Sequence, residues 1–439
     1  MYWTKGLKMV LGKDIAIIKG NIAFTPSFGQ LNIAENSFVV IQGKKVKGIY
    51  RALPAEYRNI PVTDYQDALI IPGFVDLHFH APQFANRGLG FDLELLPWLE
   101  NYTFPEEAKF QDVTYAQAVY KKVVSALWQW GTTRVVFFGT IHKAATAKLM
   151  ELLATAGLGG YVGKVNMDRN SPGILMETTG QSLLDTEMFI KETIGRYELV
   201  KPIITPRFVP TCSPELMSGI ARLAMQYNLP VQSHLSENTG EIAWVRELHP
   251  ECQNYASVYD QFGLFGKQPT VMAHCIYNDD AELALMAKNR VYVAHCPYSN
   301  SNLASGIAPV RKCIEQGIPV GLGSDVAGGH EVAMSRVMSM AIEVSKLKWL
   351  ASGKKEKFLT IPEALYLATK GGGSFFGKVG SFEAGYDFDA LVIDDSSLEV
   401  AASNRYSVED RLSRFIYIGD HHNIIARYVA GKKIEKPQF

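Results

Sequence analysis

The sequence predicts an α/β protein: a (β/α)8 barrel of the TIM type, joined to a second, smaller β-sandwich domain built from both termini. Three observations lead there. Eight short apolar segments recur through the middle of the chain, most of them followed by a helical pattern. The first of these segments ends in His78-x-His80 and "APQF". An open doubly wound sheet would place a Gly-rich phosphate loop there instead. Both ends of the chain, finally, are rich in β-branched residues punctuated by Gly and Pro.

In chain order, "DIAIIKGNIAF", "SFVVIQGKKVKGIY" and "ALIIPGFVDLHFH" read as strands, and "GYDFDALVIDD" and "IIARYVAGKKI" read likewise near the other end. Residues 1–68 and 378–439 are therefore expected to form the small β domain, with the barrel at 69–377 inserted between them. Barrel strands are expected at 69–78, 132–138, 159–165, 203–208, 230–234, 270–274, 290–295 and 318–324. Helices are expected at Ala116–Trp130, Pro214–Tyr227, Asp279–Asn289 and Pro309–Gln316, among others.

The 439 residues are 47% hydrophobic and 20% charged, enough to bury a large core. Lys+Arg and Asp+Glu are both 44. That zero net charge argues against a nucleic-acid partner, whose binding leans on positive charge. The five cysteines form no CxxC pair, which fits reduced thiols. The opening "MYWTKGLKMVLGKDIAIIKG" is too broken by Lys and Gly for a signal peptide, and no apolar run nears the roughly 18 residues of a membrane helix. A soluble, cytoplasmic protein with no membrane partner is expected.

Barrel active sites lie at the C-terminal strand ends. The first expected strand ends in His78 and His80, the fourth in Arg207 and Phe208, and the fifth in His234 with Glu237 beyond it. The sixth ends in His274, the seventh in His295 and the eighth in Asp325. Five of the ten histidines thus fall at four strand ends. In "GFVDLHFH", alternation puts Asp76, His78 and His80 on one face of a strand. Neutral imidazole is the commonest metal ligand, and a catalytic zinc takes three or four protein ligands with a position left for water. His78, His80, His234 and Asp325 would supply such a set. Zinc lowers the pKa of its water to about 7. Asp325 could both bind the metal and take that proton, Glu237 could carry protons to substrate, and His274 could hydrogen-bond the water.

Each residue has a structural alternative. Glu237 could be a helix N-terminal charge in "SENTGE". His295 could only support the loop "CPYSNSN". Cys275 and Cys296, each following a strand-end His, should point away into packing. Asp76 could orient a ligand histidine or only tie strand ends together. Arg207 could form a salt bridge across the barrel mouth. His142, His249, His330, His421 and His422 default to surface or structural roles.

"PGFVDLHFH", "SHLSEN", the strand-six His274, "HCPYSNSNLASG" and "GLGSDVAGG" together resemble the amidohydrolase superfamily. Within it, "HFHAPQF", "LLPWLENYTFPEEAKF" and "SHLSENTGEIAWV" resemble the guanine deaminase family. The resemblance implies a zinc-dependent hydrolase, guanine aminohydrolase, that converts guanine to xanthine and ammonia in purine catabolism or salvage. It implies His78, His80, His234 and Asp325 as metal ligands, and Glu237, His274 and Asp325 as catalytic residues. Gln83, Arg207 and Phe208 match guanine-contacting positions, and His80, His234, Glu237 and Asp325 would face the substrate as well. Phe208 could stack on the base, while Arg207 and Gln83 read its polar edge. One branch of the superfamily holds two metals through a lysine on the fourth strand. "IITPRF" has none, so one Zn2+ per chain is expected, with Fe2+ or Mn2+ able to occupy such a site. Tyr298, in "YSNSNLASG", departs from the small polar residue common in relatives. A homodimer is expected. The rival readings are another aminohydrolase or chlorohydrolase of the superfamily acting on a related heterocycle, and a non-catalytic barrel scaffold.

Overall fold

The computed structural model describes residues 14–399 and 406–439. The first thirteen residues of the expected N-terminal β segment lie outside the described residues.

The terminal segments meet in one mixed sheet of seven strands. In spatial order these are Lys432–Lys433, Ile424–Val429, Ala390–Ile393, Val62–Pro72, Ile15–Ser27, Gln30–Gln42 and Lys45–Tyr50. This differs from the expected sandwich: all seven strands belong to one hydrogen-bonded sheet. Ile18, Ile22, Val39, Ile41, Ile70, Val392 and Tyr428 still share one core, so strands far apart in the sheet face the same interior. Strand Val62–Pro72 runs across the expected 68/69 boundary, with Ile70 paired to both Ile22 and Val392. The later terminal segment also supplies a helix, Val408–Ile418, whose Leu412, Phe415 and Ile416 enter the large central core beside Met338 of helix Met334–Ala351.

The middle of the chain forms two parallel four-stranded sheets. One holds Phe74–His80, Thr132–Phe138, Gly159–Gly163 and Val200–Pro202, and the other Val231–Leu235, Thr270–His274, Tyr292–His295 and Val320–Leu322. At one seam Ile204 bridges Val231. At the other, Asp325 N donates to His78 O at 2.8 Å and His80 N donates to Val326 O at 3.0 Å.

The expected strands at 159–165 and 203–208 are each broken. Val165–Asn166 pairs separately with Thr205–Pro206, because Pro202 and Pro206 lack the N–H a continuous ladder needs. The observed fourth strand also starts three residues earlier than expected, at Val200 rather than 203. It therefore does contain a lysine, Lys201, the middle residue of Val200–Pro202, whose side chain is exposed while both its strand neighbours are buried.

The helices follow their signals closely. Helix Pro214–Tyr227 is capped by Ser213, and Val113–Trp130 is capped by Asp112 and stopped by Gly131 in the left-handed conformation at φ 78°. "PYSNSN", expected as loop, is a short helix, Pro297–Asn302. Among the described residues no helix is long and apolar enough to cross a membrane.

Candidate metal and substrate site

The strand ends deliver their polar side chains to one buried point. On strand Phe74–His80 the pleat turns His78 and His80 to the same side, and both rings are buried. Ser236, His274 and Asp325 each carry a positive φ, at 50°, 71° and 49°. Backbone of this kind is costly for a residue with a Cβ and concentrates where surrounding structure holds it in place. Here it bends the chain at three strand ends, so that His274, Asp325 and the carboxylate of Glu237 reach the centre.

His80 Nε2 lies 3.1 Å from His234 Nε2. Asp325 Oδ1 stands 3.1 Å from His78 Nε2 and 3.6 Å from His80 Nε2, while its Oδ2 stands 3.7 Å from His274 Nε2. His274 Nε2 faces Glu237 Oε2 at 3.3 Å. One nitrogen's protonation follows from its partner. His234 Nδ1 is 2.6 Å from the carbonyl oxygen of Arg207, which can only accept. The ring proton therefore sits on Nδ1, and Nε2 offers a lone pair to the centre.

Charge follows from burial. Burial, with His78 close by, holds the His80 and His234 imidazoles well below their ordinary pKa, so both are neutral. Burial, then Asp325 and Glu241, drives the Glu237 carboxyl well above its usual range. Burial opposes ionisation of Asp325, but His78 and His274 outweigh it and hold this carboxyl low. Two neighbouring carboxyls with opposed tendencies suit an acid and base pair.

Beside this cluster opens a cavity. His80, His234, Glu237, His274 and Asp325 line one end, and Gln83, Arg207 and Phe208 line the rest under a roof of Leu95, Trp98 and Leu99. Every residue singled out for chemistry at the first, fourth, fifth, sixth and eighth strand ends is therefore brought together, except that His78 sits just beneath the cavity floor.

Several expectations need correction. Arg207 does make the salt bridge across the mouth: its Nη1 donates to Glu107 Oε2 at 2.6 Å, while the residue also lines the cavity. Cys296 does not point away. Its Sγ lies within 4.8 Å of ligand atoms of His274 and Asp325, and Gly323 leaves it room, since a Cβ there would stand 2.9 Å from the sulfur. His295 then takes the outward direction by alternation. It is buried against Ile307, Val344 and Lys348, and burial lowers its pKa to about 3. Cys275 does pack into the core.

Asp76 is held by backbone and hydroxyl donors. It accepts from His78 N at 3.1 Å, Ser324 N at 3.0 Å and Ser324 Oγ at 2.5 Å, so it ties the first strand to the eighth. The cap of helix Thr239–Leu248 is made by Asn238 and Glu241, which frees Glu237 for the cavity. His249 is buried between Arg169 and Glu251, His142 precedes a helix, His330 packs on Tyr298, and His421 and His422 sit on a turn.

Three partners of the site gave no sequence signal of their own. Asn300 Oδ1 faces His274 Nδ1 at 2.9 Å, Ser305 Oγ approaches Glu237 Oε1 at 3.5 Å, and Glu107 joins Arg207 to Gln83. Glu107 lies within "LLPWLENYTFPEEAKF" and Asn300 and Ser305 within "HCPYSNSNLASG", stretches that carry the family resemblance, but nothing in either stretch marks these residues individually.

Parallel strands that end in a cluster of three or four histidines and an aspartate are the mark of a class of hydrolases. This chain belongs to the amidohydrolase family, whose family model matches residues 69–434. It is similar to the guanine deaminase of Dictyostelium discoideum, 37% identical over 97% of this chain and 100% of that protein. It is also similar to the guanine deaminase of Rattus norvegicus, 40% identical over 87% of this chain and 85% of that protein. Among solved structures, guanine deaminase from C. acetobutylicum with bound guanine in its active site superposes with a TM-score of 0.94 and 52% identity, covering 96% of this chain and 100% of that one.

Proposed function

We propose that the protein is a metal-dependent guanine deaminase, hydrolysing guanine to xanthine and ammonia. One observation carries the reading: the histidine and aspartate cluster and the residues suited to a purine edge line the same cavity. Relatives of this length and similarity named for that reaction support it.

The donor set fits a metal. His234 Nε2 presents a lone pair 3.1 Å from His80 Nε2, and the buried His78 Nε2 stands 3.1 Å from Asp325 Oδ1 without hydrogen-bond geometry. Such inward-facing nitrogens are poorly satisfied by one another and well satisfied by a cation. His78, His80, His234 and Asp325 would hold one ion, three nitrogens and one carboxylate, a set that suits zinc or ferrous iron. When bound, the ion supplies Lewis acidity that lets water act as a nucleophile near neutral pH.

The chain's own groups do the rest. Phe208 offers an apolar face to the flat base, and Arg207 and Gln83 offer donors and an acceptor to its edge. Addition of water to the amino-bearing carbon gives a tetrahedral adduct, and the carbon–nitrogen bond then breaks to release ammonia. Asp325, held ionised, accepts a proton from the attacking water. Glu237, whose buried setting favours its protonated form, delivers its proton to the ring; the proton taken by Asp325 then passes to the departing amine, and the adduct's hydroxyl proton returns to Glu237 as the carbonyl forms, which restores both carboxyls. His274, fixed by Asn300, steadies charge on the entering oxygen. Leu95, Trp98 and Leu99 shield these transfers from bulk water.

The same reading takes the eight parallel strands as a (β/α)8 barrel closed at the two seams, with 69–377 as its domain and 1–68 plus 378–439 as the β domain. It also takes the protein to be a cytoplasmic homodimer. The test is xanthine and ammonia formation from guanine, with and without a chelator. Metal-loaded protein that forms no xanthine overturns the reading. Turnover of a triazine, cytosine or adenosine instead would move it to the rival hydrolase.

A further inference from the structure

Residues 95–108 fold as a helix Leu95–Trp98, a π-helical turn Leu99–Thr103 and a second helix Phe104–Ala108 across the cavity mouth. The apolar side chains of its first half roof the cavity. Its second half ends in a carboxylate, Glu107, that is 2% exposed. Glu107 lines no part of the cavity, yet both of its oxygens are used. Oε1 accepts from Gln83 Nε2 at 2.8 Å and Oε2 accepts from Arg207 Nη1 at 2.6 Å. Phe104, three residues earlier, lies beneath the Arg207 guanidinium, 5.0 Å from ring centre to Cζ.

We infer that Glu107 is a positioning residue for specificity, which locks Gln83 and Arg207 into one rigid reader of a lactam edge, a carbonyl next to a ring N–H. The inference rests on the guanine deaminase reading above. A glutamine amide can present either end to a ligand. Here its NH2 is held by Glu107, and its carbonyl accepts from Ala327 N at 3.2 Å. The amide cannot turn without losing both bonds, so one N–H and one lone pair remain at fixed positions. Arg207 is fixed in the same way by the carboxylate on one side and the Phe104 ring on the other. Its remaining donors point where Glu107 leaves them. A carboxylate is the side chain that can do this, since it accepts at both oxygens. A glutamine in its place has one accepting oxygen, and its NH2 would oppose a donor on Gln83 or Arg207.

The test compares wild type with Glu107→Gln, a change that conserves volume. The measurements are kcat and KM for guanine and for 2-aminopurine, which lacks the carbonyl, together with melting temperature and metal content. Freeing the reader should raise KM for guanine about 10- to 100-fold, the scale on which misplaced binding groups act. kcat should change less. Preference for guanine over 2-aminopurine should fall by a similar factor, while metal content stays at wild-type level. A merely structural role would lower the melting temperature and leave KM and preference as they were, and that result overturns the inference. Glu107→Asp keeps the buried charge with Arg207 but is one methylene short of bridging both partners. It covers the case in which Glu107→Gln fails to fold. It too should raise KM and erode preference, and unchanged values in it overturn the inference. A wild-type protein inactive on guanine sinks the proposed function itself, whereas an active wild type with unaffected Glu107 variants sinks only this assignment.

Discussion

Glu237→Gln should abolish most turnover while leaving the protein folded and metal-loaded. The carboxyl is 4% exposed, faces His274 Nε2 at 3.3 Å and Ser305 Oγ at 3.5 Å, and has burial working against its charge. Glutamine has nearly the same shape, so no cavity opens. Burial works against this carboxyl's charge and an amide carries none, so the melting temperature should stay close to wild type. What is lost is a proton that can leave and return. Positioned proton transfer contributes about 100- to 10,000-fold in rate. At one factor of ten per 1.36 kcal/mol, that is about 3–5 kcal/mol of barrier. The assay is steady-state xanthine formation, with elemental analysis and thermal melting on the same preparations. The expected pattern is a fall in kcat of at least about 100-fold, with one metal per chain retained. Near-normal turnover in a metal-loaded variant would refute the proton-transfer role, and loss of metal would mean that Glu237 serves the ligand cluster instead.

Elemental analysis of active protein should find one divalent ion per chain, because four donors converge and Lys201, the lysine of the fourth strand, is exposed between two buried neighbours. Two ions, or none, contradicts that. The wild-type enzyme should prefer guanine over adenine and cytosine by about 10,000-fold in kcat/KM, since a site built to hydrogen-bond a substrate edge leaves its own groups unpaired with other bases. Arg207→Lys should erode that preference, because a point charge cannot replace the planar fork. Phe208→Leu should weaken guanine binding and leave the preference in place. Equal activity on cytosine in wild type would refute the assignment. Arg134→Met should destabilise the fold by about 3–5 kcal/mol, the scale for breaking a buried ion pair. Arg134 donates to both oxygens of Asp389, at 2.6 and 3.0 Å, and links the second barrel strand to the small β sheet. Urea unfolding with an unchanged midpoint would refute it.

The sequence by itself determined the pieces whose signals are local. Alternation in "FVDLHFH" placed His78 and His80 on one face, because successive side chains in a strand must diverge. Cap residues such as Ser213 and Asp112, and Gly131 at a helix end, marked boundaries because they satisfy backbone groups of their own helix. His234, His274 and Asp325 were legible because each ends an apolar run. What depends on two distant segments was decided only by the tertiary structure. Glu107 meets Gln83 and Arg207 across 24 and 100 residues of chain, and no local pattern marks such a meeting. Asn300 is equally silent until the helix Pro297–Asn302 sets it against His274. The inward turn of Cys296 arises where strand Tyr292–His295 ends, beside the space left by Gly323. The single seven-stranded sheet needed both ends of the chain in register. Local chemistry can be read along a chain, but packing and register are relations between segments, and they exist only once the core has closed around them.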